Sequence, residues 1–217
     1  MTEEAEMTEE AAMAEIDDRP RPEECARVLA AAFDREPATA WITGGSERVR
    51  HSWFATTLRT HATLPGARRH LLTDGAGTPL AAAVLTPPRA APGAAARAGW
   101  AAHTLARCGP RALGRTLRYL SRTEEMVPEG AWTLEFVGVV RRAAGRGVGR
   151  RILDHVLDAV DAVDGEEGTG GAGGGVFLTT ADPVNVGLYR HFGFTVLGDV
   201  RVGPVVTTAM WRPGRAP

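Results

Sequence analysis

The chain contains no lysine and no glutamine, a single asparagine, two cysteines and two tyrosines among its 217 residues. Without lysine the Gly-Lys-Ser/Thr ending of a Walker phosphate loop cannot be formed, so that class of nucleotide site is excluded. Cys25 and Cys108 are too few for a disulfide framework, and no Cys/His spacing suits zinc, so no metal is expected. Two separate thiols fit a reducing cytoplasm. No apolar run approaches the length of a membrane span. The N-terminus lacks the basic and apolar parts of a signal peptide. The expectation is a cytoplasmic protein with no membrane partner.

All 25 basic residues are arginine, which reflects coding bias in part and so says little about ligands. The formal net charge is −1, but residues 1–18 hold eight acids and no base, leaving +7 for the rest. A basic body favours small anionic ligands, with nucleic acid the weaker reading. Residues 1–18 read as a disordered acidic segment. Residues 19–217 are long enough for one domain with a proper core.

Trp132 to Arg150, WTLEFVGVVRRAAGRGVGR, organises the remainder. It reads as a strand, a glycine turn and a helix start. Leu134–Val140 is mostly apolar or β-branched, which suits a buried strand. Simple alternation puts Glu135, Val137 and Val139 on one face. Gly145, Gly147 and Gly149 follow at every second position, where backbone can approach a ligand closely. From Val148 onward Ile152, Leu153, Val156, Leu157, Val160 and Val163 form one apolar helical stripe. The helix start carries Arg146, Arg150 and Arg151, and its end carries Asp158, Asp161 and Asp164. This reverses the polarity a helix prefers. Either an anion docks on the first-turn N–H groups, or local pairs such as Arg150–Asp154 hold the charges.

Before this stretch, helices are expected over Pro22–Phe33 and Ser46–His61, after a short strand at residues 14–18. A hairpin is expected from His70–Asp74 and Leu80–Pro87. Residues 88–130 add two helices, Ala94–Ala106 and Arg111–Thr123. In the second, Arg111, Arg115, Arg118 and Arg122 share a face, as a solvated stripe or as a wall over an acceptor site. After it come the flexible connector Gly165–Gly175, the strand Val176–Thr180, and a helix capped by Asp182 with Pro183 at its first position. That helix is expected to bury Val184, Leu188 and Phe192 and to end at Gly193. Two strands, Phe194–Val202 and Val205–Trp211, close the chain.

Two stretches resemble one family. Ala144-Gly145-Arg146-Gly147-Val148-Gly149, between strand and helix, is similar to motif A of the GNAT (general N-acetyltransferase) superfamily, with Ala144 where the family has Gln or Arg. LTTADPVNVGLYRHFGF, Leu178 to Phe194, resembles its motif B, with Asn185 four residues before Tyr189 and Gly-Phe at the helix end. The resemblance spans about 80 residues, Trp132 to Trp211, as order and spacing of elements. It implies an α/β (α+β) fold: a central mixed, mostly antiparallel sheet splayed at an acyl-CoA site, flanked by helices, with residues 88–130 inserted before the central strand. Acetyl-CoA would be the acyl donor. Its pantetheine would pair with the backbone of Val137, Gly138 and Val139. Its pyrophosphate would meet the turn formed by Gly145, Arg146, Gly147, Val148, Gly149 and Arg150, and Asn185 would touch its arm.

Transfer would run directly to the primary amine of a small molecule, in a ternary complex, so neither cysteine is needed. Glu135 is the candidate base and Tyr189 the candidate acid. His70, His103 and His191 are substitutes. Acetylation of a protein or peptide amine and non-catalytic acyl-CoA sensing are the alternatives, and a homodimer stays open. The acceptor pocket falls to residues 19–130, the part with least family character.

Overall fold

The computed structural model describes residues 15–166 and 174–215. Of the acidic start read above as disordered, residues 1–14 lie outside the described residues, as does most of the glycine-rich connector. Residues 15–18 are ordered, in the strand Glu15–Asp17 and in the bonds of Asp18 to His70 and His155. Seven strands form one sheet in the order β1-β2-β3-β4-β5-β7-β6. They are β1 (Glu15–Asp17), β2 (Arg68–Thr73), β3 (Pro79–Thr86), β4 (Trp132–Val139), β5 (Val176–Thr180), β6 (Thr195–Val202) and β7 (Val205–Arg212). Only β4 and β5 pair in parallel; every other neighbour is antiparallel. The helices are α1 (Pro22–Ala32), α2 (Pro37–Thr43), α3 (Glu47–His61), α4 (Ala94–Cys108), α5 (Pro110–Thr123), α6 (Val148–Glu166) and α7 (Pro183–His191). The mixed, mostly antiparallel sheet flanked by helices agrees with the expected architecture.

Short-range chemistry starts the helices. Pro22, Pro37, Pro110 and Pro183 each sit in a first turn, where a missing N–H costs nothing. Ser46 caps α3 and Asp182 caps α7 through side-chain oxygens. The short α2 was not anticipated. Glu36 begins it, accepting from the amides of Ala38 at 3.1 Å and Thr39 at 2.6 Å.

The helices lie on two faces. On one, Phe33 just after α1 and Trp53 and Phe54 of α3 meet Phe136 of β4 edge to face, with centroids 5.2–6.0 Å from that ring. Gly138 lets α1 close onto β4 there. On the other face Ile152, Val156 and Val160 of α6 are fully buried, and a Cβ on Gly149 would stand 3.4 Å from the Val139 side chain. Arg212 of β7 grips Asp161 of α6 in a nearly buried bidentate pair at 2.9 and 2.7 Å. Behind β1, one oxygen of Asp18 is 2.7 Å from both His70 Nδ1 and His155 Nε2, clamping the first strand to β2 and α6. This trio collects potential metal ligands that sequence spacing does not reveal. However, His70 Nε2 is buried without a partner. Metal on Nδ1 would place a proton on Nε2 with no acceptor, whereas bound imidazoles normally donate that proton.

Helices α4 and α5, the segment before β4, pack on the first face. Trp53 donates to Thr116 at 3.0 Å and Trp100 to Thr57 at 3.4 Å. Of the arginine stripe on α5, Arg111, Arg118 and Arg122 are exposed. Arg115 turns inward, donating to the Trp41 carbonyl at 2.5 Å with its guanidinium over the same indole.

Two expectations are corrected. Val184 and Leu188 are not core residues: they are 79% and 46% exposed, and α7 buries Tyr189 instead. An amphipathic period shows that a stripe exists, not which of two neighbouring stripes the sheet covers. Glu135 also does not share a face with Val137 and Val139. The β3–β4 register jumps from Val84↔Phe136 to Leu85↔Leu134, so Glu135 is an extra, bulged residue. A bulge re-aims its side chain, here toward Thr86 on the face of α1 and α5.

A Cβ on Gly138 would lie 2.8 Å from the Ala32 Cβ and 2.9 Å from the Phe33 ring. Gly138→Ala is therefore expected to cost about 1–3 kcal/mol by overpacking. The measurement is a denaturant midpoint at unchanged m-value; an unmoved midpoint would show that α1 does not press on β4 there.

Candidate functional site

The site begins with a defect in the sheet. β4 and β5 pair only at Trp132↔Val176 and Thr133↔Phe177, next to the bond from the Trp132 amide to the Gly175 carbonyl at 2.8 Å. Beyond Thr133 they separate. β4 stays with β3 as far as Val139↔Ala81, and β5 stays with β7 as far as Thr180↔Thr208. Among the described residues, the edge of β4 facing β5 therefore has no strand partner over residues 134–139, the stretch holding Val137, Gly138 and Val139. Backbone N–H and C=O groups demand partners, so this edge can take an extended amide-bearing chain.

Directly after that edge comes the glycine turn. Arg141–Ala143 makes one 3-10 turn, Ala144 is extended, and α6 starts at Val148. Gly145 and Gly147 both hold left-handed φ, 77° and 75°, which other residues rarely adopt. A Cβ added to either meets nothing within 4 Å. The backbone thus faces open space, beside first-turn amides that have no intrahelical acceptor. The cradle fits a diphosphate. The reversed helix charge has a partly local cause: Arg150 lies 3.7 Å from Asp154, with both side chains exposed. Arg141 pairs with Asp34 beyond α1 at 2.7 Å, which anchors the turn.

Glu135 stands beside the gap. Its side chain reaches solvent, yet the bulge sets the carboxyl deep enough among protein atoms that desolvation raises its pKa above the usual range for Glu. The hydrogen bond from Thr86, 2.7 Å long, opposes that rise, and Glu124 adds to it. No arginine pairs with it among the described residues. A carboxylate held up in this way is a better base than an ordinary one.

On the far side of the gap, α7 carries Asn185 and Tyr189. Asn185 is half-buried in the first turn. Tyr189 is 8% exposed and its ring meets Phe194 at 5.7 Å. Burial pushes its phenol up to about 12, with Glu36 contributing. No side-chain hydrogen bond of the hydroxyl takes part in that shift. The histidines are elsewhere: His70 is clamped to Asp18, and exposed His103 and His191 sit 2.8 and 2.7 Å from Gly99 and Gly187 carbonyls.

Tyr119 is the functional candidate that motif reading missed. It reaches from α5 across the sheet, its hydroxyl 3.1 Å from Thr179 on β5 and 3.3 Å from Thr207 on β7. Burial raises its pKa; the threonines oppose this, and Glu36 and Glu135 add to it. Thr86 and Thr179 left one faint trace in the sequence, hydroxyls at the ends of otherwise apolar strands; Thr207, inside β7, left none.

No family model and no curated protein sequence matches the chain. Solved structures do. A Corynebacterium glutamicum protein described as histone acetyltransferase HPA2 and related acetyltransferase superposes with a TM-score of 0.66 at 20% identity, covering 94% of this chain and 98% of its own. An agmatine N-acetyltransferase gives 0.57 at 14% identity, over 92% and 98%. The ribosomal-protein-S18-alanine N-acetyltransferase of Escherichia coli gives 0.53 at 15%, over 94% and 96%. At these identities the likeness concerns the path of the chain. Together with the splayed sheet and the glycine turn, it shows that this chain has the GNAT acetyltransferase fold.

Proposed function

We propose that the protein is a GNAT-type N-acetyltransferase that moves acetyl from acetyl-CoA directly to the primary amine of a small molecule. The observation that carries this reading is the unpaired edge of β4 running into a left-handed glycine turn at a helix start. A pantetheine arm needs extended amide partners, and a diphosphate needs converging N–H groups. Here the two follow each other along one chain. Acetyl-CoA supplies an activated acyl group on sulfur. Residues 134–139 would orient the arm, the Gly145–Arg150 turn would hold the phosphates, and Asn185 would touch the arm.

The chain's own groups divide the proton traffic. An amine arrives protonated, and Glu135 takes that proton, directly or through water. Its raised pKa brings it closer to the amine's, which eases the transfer. Tyr189 remains a phenol at neutral pH and donates a hydrogen bond toward the departing sulfur. With its pKa near 12, it stabilises the departing thiolate by donation and not by complete transfer, since a thiol of about 8.5 is the stronger acid. The second proton, shed by the nitrogen once it is acylated, passes through water to the thiolate or to solvent. Helices α4 and α5 would cover the acceptor side.

Three variants test these roles. A valine at Gly147 would put its side chain into the space assigned to the phosphates. Gly147→Val should therefore raise the acetyl-CoA Kd at least about tenfold, or about 1.4 kcal/mol. Unchanged calorimetric binding by the folded variant would show that the phosphates lie elsewhere.

Tyr189→Phe keeps the ring and removes the donor. Its kcat should fall at least about tenfold, the low side of general acid–base effects, with acetyl-CoA affinity nearly intact. A wild-type rate under rate-limiting chemistry would make Tyr189 a packing residue.

Glu135 must be ionised to act, so kcat/KM should rise with pH through a pKa above the ordinary Glu value. Glu135→Gln should lower kcat by about 10²–10⁴ and abolish that acid limb. An acid limb surviving in the Gln variant would assign it to another group.

A further inference from the structure

Away from the gap, the described residues form a second concavity with the chemistry of a binding site. It is a cavity of about 280 Å³ lined by residues of α1, α3 and α4. That volume lies at the small end of ligand pockets, which run to about 300–1,000 Å³. Ala26 and Thr56 are buried and make its floor. Arg27 of α1, Arg59 of α3 and Arg107 of α4 are exposed and stand at its rim. No described lining residue comes from β4, β5, α6 or α7, so this cavity is separate from the edge and the glycine turn.

The lining calls for an anion. Its arginines are not spent on neighbours, because the ion pairs among the described residues use other arginines. Arg59 gives only its Nε, to the Ala55 carbonyl at 3.2 Å. Glu24, the acid that Arg27 influences, is already held by Arg21 at 2.9 Å. Glu23 is the one carboxylate among the described lining residues. With His51 set aside, two positive charges are therefore in excess. The floor adds an independent sign. Thr56 is 4% exposed, and its Oγ1 is a buried hydroxyl with no hydrogen-bond partner among the described residues. Leaving such a group unpaired is costly, and a ligand oxygen entering the cavity would repair it. A solvated charge stripe, the ordinary reason for surface arginines, needs neither a cavity nor a buried donor.

We propose that this cavity binds a small phosphate monoester. Such a group carries a charge of about −1.5 to −2 near neutral pH, which matches the excess at the rim. Guanidinium forks fit phosphoryl oxygens. The rim's three guanidinium groups come from three helices and converge on one opening, as a compact head with several oxygens requires. A dicarboxylate spreads its charges to opposite ends and would set one of them against Glu23. At the floor the Thr56 hydroxyl donates to a phosphoryl oxygen, while Glu23 and Ser52 can meet hydroxyl groups of the esterified part. The site stands apart from the acetyl-transfer reading, and neither claim needs the other.

The test is a heteronuclear NMR titration of the full-length protein with glycerol 3-phosphate, glycerol and succinate. Glycerol 3-phosphate should bind with a Kd of about 1 mM or tighter and move the amide resonances of Arg27 and Thr56. Glycerol should not bind, and succinate should bind at least about fivefold more weakly than the ester. Arg27→Gln and Arg107→Gln, both at exposed positions, should each weaken the ester at least about fivefold, equivalent to about 1 kcal/mol. Thr56→Val keeps the shape and removes the hydroxyl. It should weaken the ester by a similar factor, yet leave the ligand-free denaturant midpoint unchanged or higher, because the hydroxyl has no partner to lose. A hydroxyl with a purely structural role would show the reverse and overturn the proposal. Should Thr56→Val fail to fold, the two arginine variants decide alone. Arg150→Gln, in the glycine turn, should leave the affinity unchanged. An affinity that falls in Arg150→Gln but survives in Arg27→Gln and Arg107→Gln assigns the phosphate to the glycine turn and overturns the proposal. Absent binding of the ester, or succinate bound as tightly, overturns it too.

Discussion

An unsatisfied strand edge is the constraint on which the rest of this molecule depends. Once β4 and β5 separate beyond Thr133↔Phe177, the inner edge of β4 has donors and acceptors but no neighbouring strand among the described residues. A sheet would ordinarily close such a gap, because each unpaired buried group costs about 1–3 kcal/mol. Here the two halves are held apart by their surroundings. β4 is committed to β3 from Thr133 to Val139 apart from the bulge at Glu135, and β5 to β7 along its whole length. From above, the Tyr119 hydroxyl holds Thr179 and Thr207. From below, α6 presses Gly149 against Val139.

The bulge at Glu135 belongs to the same arrangement. In regular alternation that carboxylate would face α6, among Ile152, Val156 and Val160, where an uncompensated charge is costly. The extra residue turns it to the opposite face, where Thr86 can donate and solvent can enter. One inserted residue therefore does two things. It keeps the α6 interface apolar, and it places a carboxylate of raised pKa beside the gap.

Local chemistry explains what could be read in advance. Asp182-Pro183, Ser46 and the alternating glycines act within a few residues, so their elements and the cradle turn were legible. Glu135 was singled out correctly as the lone carboxylate of its strand, but its face was not, because the bulge exists only through pairing with β3. Val184 and Leu188 failed similarly: which stripe of α7 is buried depends on where β5 and Phe194 place the helix. Tyr119 and Glu36 leave no mark in any motif. Tyr119 meets Thr179 and Thr207 at separations of 60 and 88 residues, and Glu36 looks like a simple helix cap until α2 is seen against Tyr119. The parts shared with the fold are written locally, and contacts such as those of Tyr119 are assembled over distance.

Charge is divided in the same way. A body with a net excess of arginine would seem to repel a cationic substrate, but total charge is a poor guide at a site. Screening confines each exposed charge to about 8–10 Å, so an amine beside the gap would feel Glu135 and little of the distant arginines. Those that lie nearer are engaged: Arg115 by Trp41, and Arg141 by Asp34.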